Sequence, residues 1–151
     1  MRIRVTRLTE MTEGVIVLAA VAHAEGFFML DRLIADFRSG ENAFDRPGEA
    51  LFGAETPGNL LGIGGLNIDP YFRDVRLGRI RHLYVHTSAR NAGVGRMITE
   101  AIEADAAGQF DKLQLFTPNE AASKFYEALG YLVVSRLDRN VPSLNSFRMS
   151  P

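Results

Sequence analysis

The chain has 151 residues, 17 Lys and Arg against 18 Asp and Glu, a formal net charge of −1 and no cysteine. That length suits one domain, 1–151, with a real core, and the near-neutral charge argues against general nucleic-acid binding. The lack of cysteine excludes disulfides, thiolate metal sites and cysteine nucleophiles. The longest apolar run, residues 15–22, is too short to span a bilayer, and the first residues have no signal-peptide core, so a cytoplasmic protein with no membrane partner is expected.

Residues 2–7 alternate Ile3 and Val5 with arginine and threonine, the pattern of a short half-buried strand. Thr9 can cap the helix that follows, with Glu10 and Glu13 favourable in its first turn and an end near Gly26. Leu30, Leu33, Ile34 and Phe37 fall at helical spacing, and Ser39-Gly40 stops that second helix. Residues 41–49 read as loop. Strand-like runs at 51–55 and 60–68 are joined by Thr56-Pro57-Gly58-Asn59, a type II turn signature, which predicts a hairpin. A polar loop over 71–78 leads to a strand over 79–86.

Val94, Met97, Ile98, Ala101, Ile102 and Ala106 then repeat with helical spacing, and Gly108 ends that helix. Residues 112–117 read as a short buried strand closed by Pro118. Ala121, Ala122, Phe125, Tyr126 and Leu129 make a last helix with Gly130 beyond its end. Strand candidates follow at 131–137 and 143–149. The order β α α β β β α β α β β predicts an α/β (α+β) protein with a mixed, mostly antiparallel central sheet and helices on both faces. The crossover from 79–86 through a helix to 112–117 is expected to be parallel and right-handed.

The chain is organised around Arg90-Asn91-Ala92-Gly93-Val94-Gly95-Arg96, between the 79–86 strand and the helix. A helix start after a glycine-containing turn presents backbone N–H groups that can hold an anion, and glycines at 93 and 95 permit close approach of a ligand. The same residues also make an ordinary tight connection, and the GxGxxG and GK[ST] patterns are absent. Arg73, Arg76, Arg79, Arg81, Arg90 and Arg96 stand nearby against the single acid Asp74, a basic field suited to a polyphosphate.

Arg90-Asn-Ala-Gly93-Val-Gly95 resembles the Q/R-x-x-G-x-G/A motif of the GCN5-related N-acetyltransferases. Asn119-Glu-Ala-Ala122-Ser-Lys-Phe125-Tyr126-Glu-Ala-Leu129-Gly130-Tyr131 is similar to that family's N-x-x-A-x-x-F-Y-x-x-x-G-F/Y segment. The resemblance implies the fold of that family and transfer of an acetyl group from acetyl-coenzyme A to a primary amine by direct attack. It implies that the backbone of Arg90, Asn91, Ala92, Gly93, Val94, Gly95 and Arg96 binds the cofactor pyrophosphate. Leu83, Tyr84 and Val85 pair with the pantetheine arm as an added strand, Asn119 contacts that arm, and Tyr126 protonates the leaving thiolate. No metal is implied. A homodimer is plausible on the same resemblance, and the chain would otherwise be a coenzyme-A-binding sensor or partner module without turnover.

The departure from the family lies in the base. A glutamate is frequent on the strand before the phosphate loop, where this chain has Arg79 and Arg81. His82 and His86 are the nearest groups with suitable reference pKa values, and a relay through Glu55, Asn67 or Asp69 is the alternative. Residues 82, 84 and 86 share one strand face and 81, 83 and 85 the other. Arg96 suits a direct phosphate contact, while Arg73, Arg76, Arg79 and Arg81 read as solvated charges. Tyr126 also reads as core, and Asn119 as a helix cap. The surplus of acids at Asp31, Asp36, Glu41, Asp45 and Glu49 over Arg32, Arg38 and Arg46 favours a cationic small-molecule or peptide amine as acceptor.

Overall fold

A computed structural model describes residues 2–70, 74–117 and 120–132, and the backbone of 144–148. The elements are β1 (Arg4–Arg7), α1 (Glu13–Ala24), α2 (Met29–Ser39), β2 (Ala50–Thr56), β3 (Asn59–Ile68), β4 (Leu77–Val85), a short 3-10 turn (Thr87–Ala89), α3 (Val94–Ala106), β5 (Lys112–Phe116), α4 (Glu120–Ala128) and β6 (Leu144–Arg148). Among the described residues six strands lie side by side in chain order. Every neighbouring pair is antiparallel except β4 with β5, the parallel pair that the α3 crossover requires.

Local chemistry accounts for most boundaries. Thr12, rather than Thr9, caps α1, its hydroxyl accepting from the Val15 N–H at 3.4 Å, so the helix starts one turn later than the sequence suggests. Gly40 closes α2 in the left-handed conformation. Gly58 takes φ +82° at the third position of the β2–β3 turn, as a type II turn needs. Gly130 at φ +98° ends α4, and the Tyr131 N–H returns to the Tyr126 carbonyl at 3.0 Å. Residues 131 and 132 are not in a strand, and the rest of the strand expected over 131–137 lies outside the described residues.

Two apolar layers cover the sheet. On one face Val94, Ile98 and Ile102 of α3 pack with Leu66, Ile80, Leu113 and Tyr126. On the other, Val15, Leu18 and Ala22 of α1 and Leu30 and Leu33 of α2 pack with Leu51, Ile63 and Tyr84. Glycine in mid-strand makes this approach possible. A Cβ at Gly64 would lie 2.7 Å from Ile98, and one at Gly65 2.5 Å from the Phe44 ring. No helix among the described residues is long and apolar enough to cross a membrane.

Candidate active site

The site begins where two parallel strands part. β4 pairs with β5 only at Leu77–Lys112, Gly78–Leu113 and Arg79–Gln114, yet β4 runs on to Val85. Among the described residues, the β5-side edge of β4 beyond Arg79 is therefore left without a strand partner, a ready template for an extended ligand. A cleft of about 1030 Å³ occupies the gap. Residues 79–85 line it from β4, Leu115 and Phe116 from β5 and 121–129 from α4 and its end, and residues 26–29 and the 89–96 loop complete the lining.

A bulge aims the side chains of β4. Arg81 opposes Gly65 and Tyr84 opposes Ile63, so His82 and Leu83 together face Gly64. His82 absorbs the extra residue at φ +60°. Arg81, His82 and Tyr84 consequently face α1 and α2, while Ile80, Leu83 and Val85 face α3. Strict alternation holds from residue 82 onward but fails across the bulge, so Arg81 stands with His82 rather than opposite it.

The first histidine candidate is half-buried and neutral. His82 bonds to the Met29 backbone and meets the Phe44 ring edge-on at 6.3 Å. Burial, then the charges of Arg81, Arg32 and Arg79, push its pKa down to about 3. His86 lies beyond the strand end and caps the 3-10 turn. Its Nδ1 accepts from the Ser88 N–H at 3.0 Å, and the ring lines a separate pocket of about 810 Å³ beside α1 and the β2–β3 turn. The two histidines are thus not brought together, and only His82 lines the cleft.

The three relay candidates lie elsewhere. Asn67 and Asp69 are buried at the far end of β3 and Glu55 pairs across β1, and none lines the cleft. Asn67 donates to Glu49 at 3.0 Å and exchanges hydrogen bonds with Asn42 at 2.9 Å. Asp69 accepts from Gln114 and lies 3.5 Å from the Arg79 guanidinium. Arg79 is accordingly a buried, ion-paired residue and not the solvated charge that its sequence position suggests. Arg76 does lie at the surface, bonded to Asp111 at 2.6 and 2.7 Å. Arg73 and Asn119 lie outside the described residues.

The loop has the geometry of an anion cradle. Asn91 and Gly93 both take left-handed φ, +66° and +81°, and turn the chain sharply into α3. No side chain caps α3 at Gly93, so the first-turn N–H groups at Val94, Gly95 and Arg96 face the loop mouth unshielded. The two glycines do different work. A Cβ at Gly93 would meet nothing within 4 Å, so glycine serves the positive φ there. At Gly95 a Cβ would lie 3.1 Å from Phe125, so that glycine lets α3 pack on α4 instead of clearing space for a ligand. Arg96, exposed on the first turn, has no ion pair or hydrogen bond among the described residues.

Arg90 is committed to a clasp that the sequence does not announce. Its guanidinium donates to both carboxylate oxygens of Glu25, at 2.7 and 3.0 Å, and to the Val85 carbonyl at 3.0 Å. It also lies 5.5 Å from the centre of the Tyr84 ring, whose hydroxyl donates to Glu25. The Arg90 contact holds the Glu25 carboxyl below its usual range, and burial with the Glu25 bond pushes the Tyr84 phenol up to about 12. One signal for this clasp was available. Glu25 is an anion at the C-terminal end of α1, where the helix dipole disfavours it unless a cation is near.

Tyr126 closes the cleft floor. It is 5% exposed, with the Phe125 ring at 5.0 Å and the Tyr131 ring at 5.5 Å. Burial raises its pKa above the free phenol value, so the hydroxyl keeps its proton across the physiological range. Four arginines (79, 81, 90 and 96) and His82 line the cleft, and among the described residues no aspartate or glutamate does.

A split parallel pair, an open strand edge and an uncapped helix start define the class of an α/β acyltransferase. A family model for the acetyltransferase (GNAT) family matches residues 19–131. The chain belongs to that family. A proposed acetyltransferase of Exiguobacterium sp. 255-15 is 30% identical, superposes with a TM-score of 0.81, and the match covers 97% of this chain and 92% of that one. A GNAT-family acetyltransferase of Staphylococcus aureus Mu50 shares the fold at 16% identity, with a TM-score of 0.76 over 99% and 100% of the two chains. So does an aminoglycoside 6′-N-acetyltransferase solved with coenzyme A, at 14% identity and a TM-score of 0.72 over 98% of each chain.

Proposed function

We propose that the protein transfers the acetyl group of acetyl-coenzyme A to a primary amine without a covalent enzyme intermediate. The observation that carries this reading is the continuity of the open β4 edge with the uncapped start of α3 along one basic cleft. The pantetheine arm adds as a strand along Leu83, Tyr84 and Val85. The pyrophosphate sits on the N–H groups of Asn91 and of Gly93 to Arg96, the Ala92 N–H being bonded to the Ala89 carbonyl, with Arg96 free to contact a phosphate oxygen. Arg90 acts differently from its neighbours, because its side chain fixes the end of β4 through Val85 and Glu25.

In the transfer the amine nitrogen attacks the thioester carbon, and charge develops on the carbonyl oxygen. A backbone N–H at Val85 is the donor suited to that oxyanion. The C–S bond then breaks, and the thiolate takes the proton of the Tyr126 hydroxyl, which solvent replaces. His82, with a pKa near 3, is too weak a base to take a proton from the amine at neutral pH. His86 is turned to another pocket. Solvent therefore removes the amine proton.

The lack of a lining carboxylate among the described residues also favours a second reading, a coenzyme-A-binding module without turnover. Thiol release from acetyl-coenzyme A over a panel of amines separates the two. Amine-dependent release supports the transferase, and binding with only slow hydrolysis supports the sensor.

A further inference from the structure

The part of the cleft lined by residues 27–29, which follow the Glu25–Arg90 clasp in the chain, has its own chemistry. Phe27, Phe28 and Met29 form an apolar rim, with Phe27 39% and Phe28 58% exposed. The Phe27 ring lies 6.2 Å from that of Tyr84, so the rim continues onto β4. The same cleft is lined by Arg81, half-buried and facing the same side of the sheet as His82, which bonds to the Met29 backbone. Its nearest basic neighbours are already engaged. Arg79 is paired with Asp69 and Arg32 with Asp36 at 3.6 Å. Arg81 itself has no hydrogen bond or ion pair among the described residues.

The acidic surplus noted in the sequence does not reach this place. Asp31 bonds to His23 at 2.6 Å, Asp36 pairs with Arg32, and Glu49 is buried against Asn67. The cleft itself is lined by no acid among the described residues. A half-desolvated guanidinium beside an apolar rim repels a polyamine and lacks only a planar anion.

Resting on the acetyltransferase reading above, we infer that the acceptor is an amino acid or a close analogue, a primary amine bearing a carboxylate that Arg81 binds and an apolar or aromatic body that packs on Phe27, Phe28 and Met29. Arg81 is then the specificity-determining residue of the acceptor end. An arginine standing where a carboxylate base is frequent thereby gains a role.

The test compares L-phenylalanine, L-phenylalanine amide, 2-phenylethylamine, glycine and spermidine. Binding to the coenzyme-A-loaded protein is read by calorimetry, and turnover by thiol release. L-Phenylalanine is expected to bind and react with a KM at least about tenfold below those of the amide, 2-phenylethylamine and glycine, the range of one charge-assisted hydrogen bond. Arg81→Gln raises the L-phenylalanine KM by about tenfold or more and leaves 2-phenylethylamine within about twofold, while Arg81→Lys recovers part of the loss. Because Arg81 has no partner among the described residues, an unchanged melting temperature is expected for both variants. Spermidine or 2-phenylethylamine preferred over L-phenylalanine, or selectivity unchanged in Arg81→Gln, would overturn the inference. If no amine supports thiol release, the transferase reading fails, and the carboxylate preference in calorimetry still decides the role of Arg81.

Discussion

Substitution of His82 by asparagine should flatten the dependence of stability on pH. His82 is held neutral, with a folded pKa near 3 against 6.5 for the free side chain. Between those values the unfolded chain binds a proton that the folded chain does not, so stability falls as pH is lowered and is fully present above about pH 6.5. Each pH unit in that window removes at most about 1.4 kcal/mol, and from pH 7.5 to 4.5 the loss reaches about 2.7 kcal/mol. That is a large share of the ~5–15 kcal/mol by which a domain of this size is stable. Carboxyls held low by ion pairs, Glu25 and Asp111, begin to lose their contribution only as pH falls through their free values of 4.5 and 3.8, so most of the change between pH 7.5 and 4.5 belongs to His82 among the groups with a shifted pKa.

Asparagine tolerates φ +60° better than most side chains and does not titrate. Urea unfolding at pH 7.5 and 4.5 measures both proteins. The variant starts less stable, having lost the bond to Met29 and the contact with Phe44, and it loses less stability on acidification than the wild type by up to about 2.7 kcal/mol. Equal losses in the two proteins would refute the account of a desolvated, neutral His82.

Three further outcomes follow from the same geometry. Gly93→Ala should cost about 1–2 kcal/mol through its φ of +81° with no steric clash, and weaken acetyl-coenzyme A binding, whereas Gly95→Ala should lower the melting temperature through Phe125 and affect binding less. Tyr126→Phe should reduce kcat by about 10²-fold or more with acetyl-coenzyme A affinity kept, and an unchanged kcat across pH would remove the tyrosine from the reaction. Glu25→Gln should lower the Tyr84 phenol from about 12 by removing a bonded anion, read as an earlier onset of tyrosinate absorbance on alkaline titration. An unchanged onset would show that burial alone sets that value.

The parts of the fold that the sequence made legible are those governed by local chemistry. The Pro57-Gly58 turn, the helical spacing from Val94 to Ala106 and the Gly130 stop depend on residues close in sequence, and each stands where expected. What escaped depends on long-range contacts. The bulge at His82 is a mismatch of register with β3, and neither strand alone reveals it. Arg79 reads as a surface charge until Asp69 is brought against it. Gly95 looks like part of a ligand loop because its partner, Phe125, lies 30 residues on. The Glu25–Arg90–Tyr84 clasp joins the end of α1 to the phosphate loop across 65 residues, and only the awkward placement of an acid at a helix C-terminus hinted at it. The acceptor proposed from the cleft differs from the one expected from summed charges because burial and pairing, not composition, decide which charges line the cleft.

Calorimetric titration of acetyl-coenzyme A into the purified protein, beside dephospho-coenzyme A and NAD, tests the central claim most directly. Saturable binding that favours acetyl-coenzyme A over NAD, and that weakens in Gly93→Ala, is the expected result. Binding that is absent, or that does not distinguish acetyl-coenzyme A from NAD, would mean that the turn into α3 is only a turn.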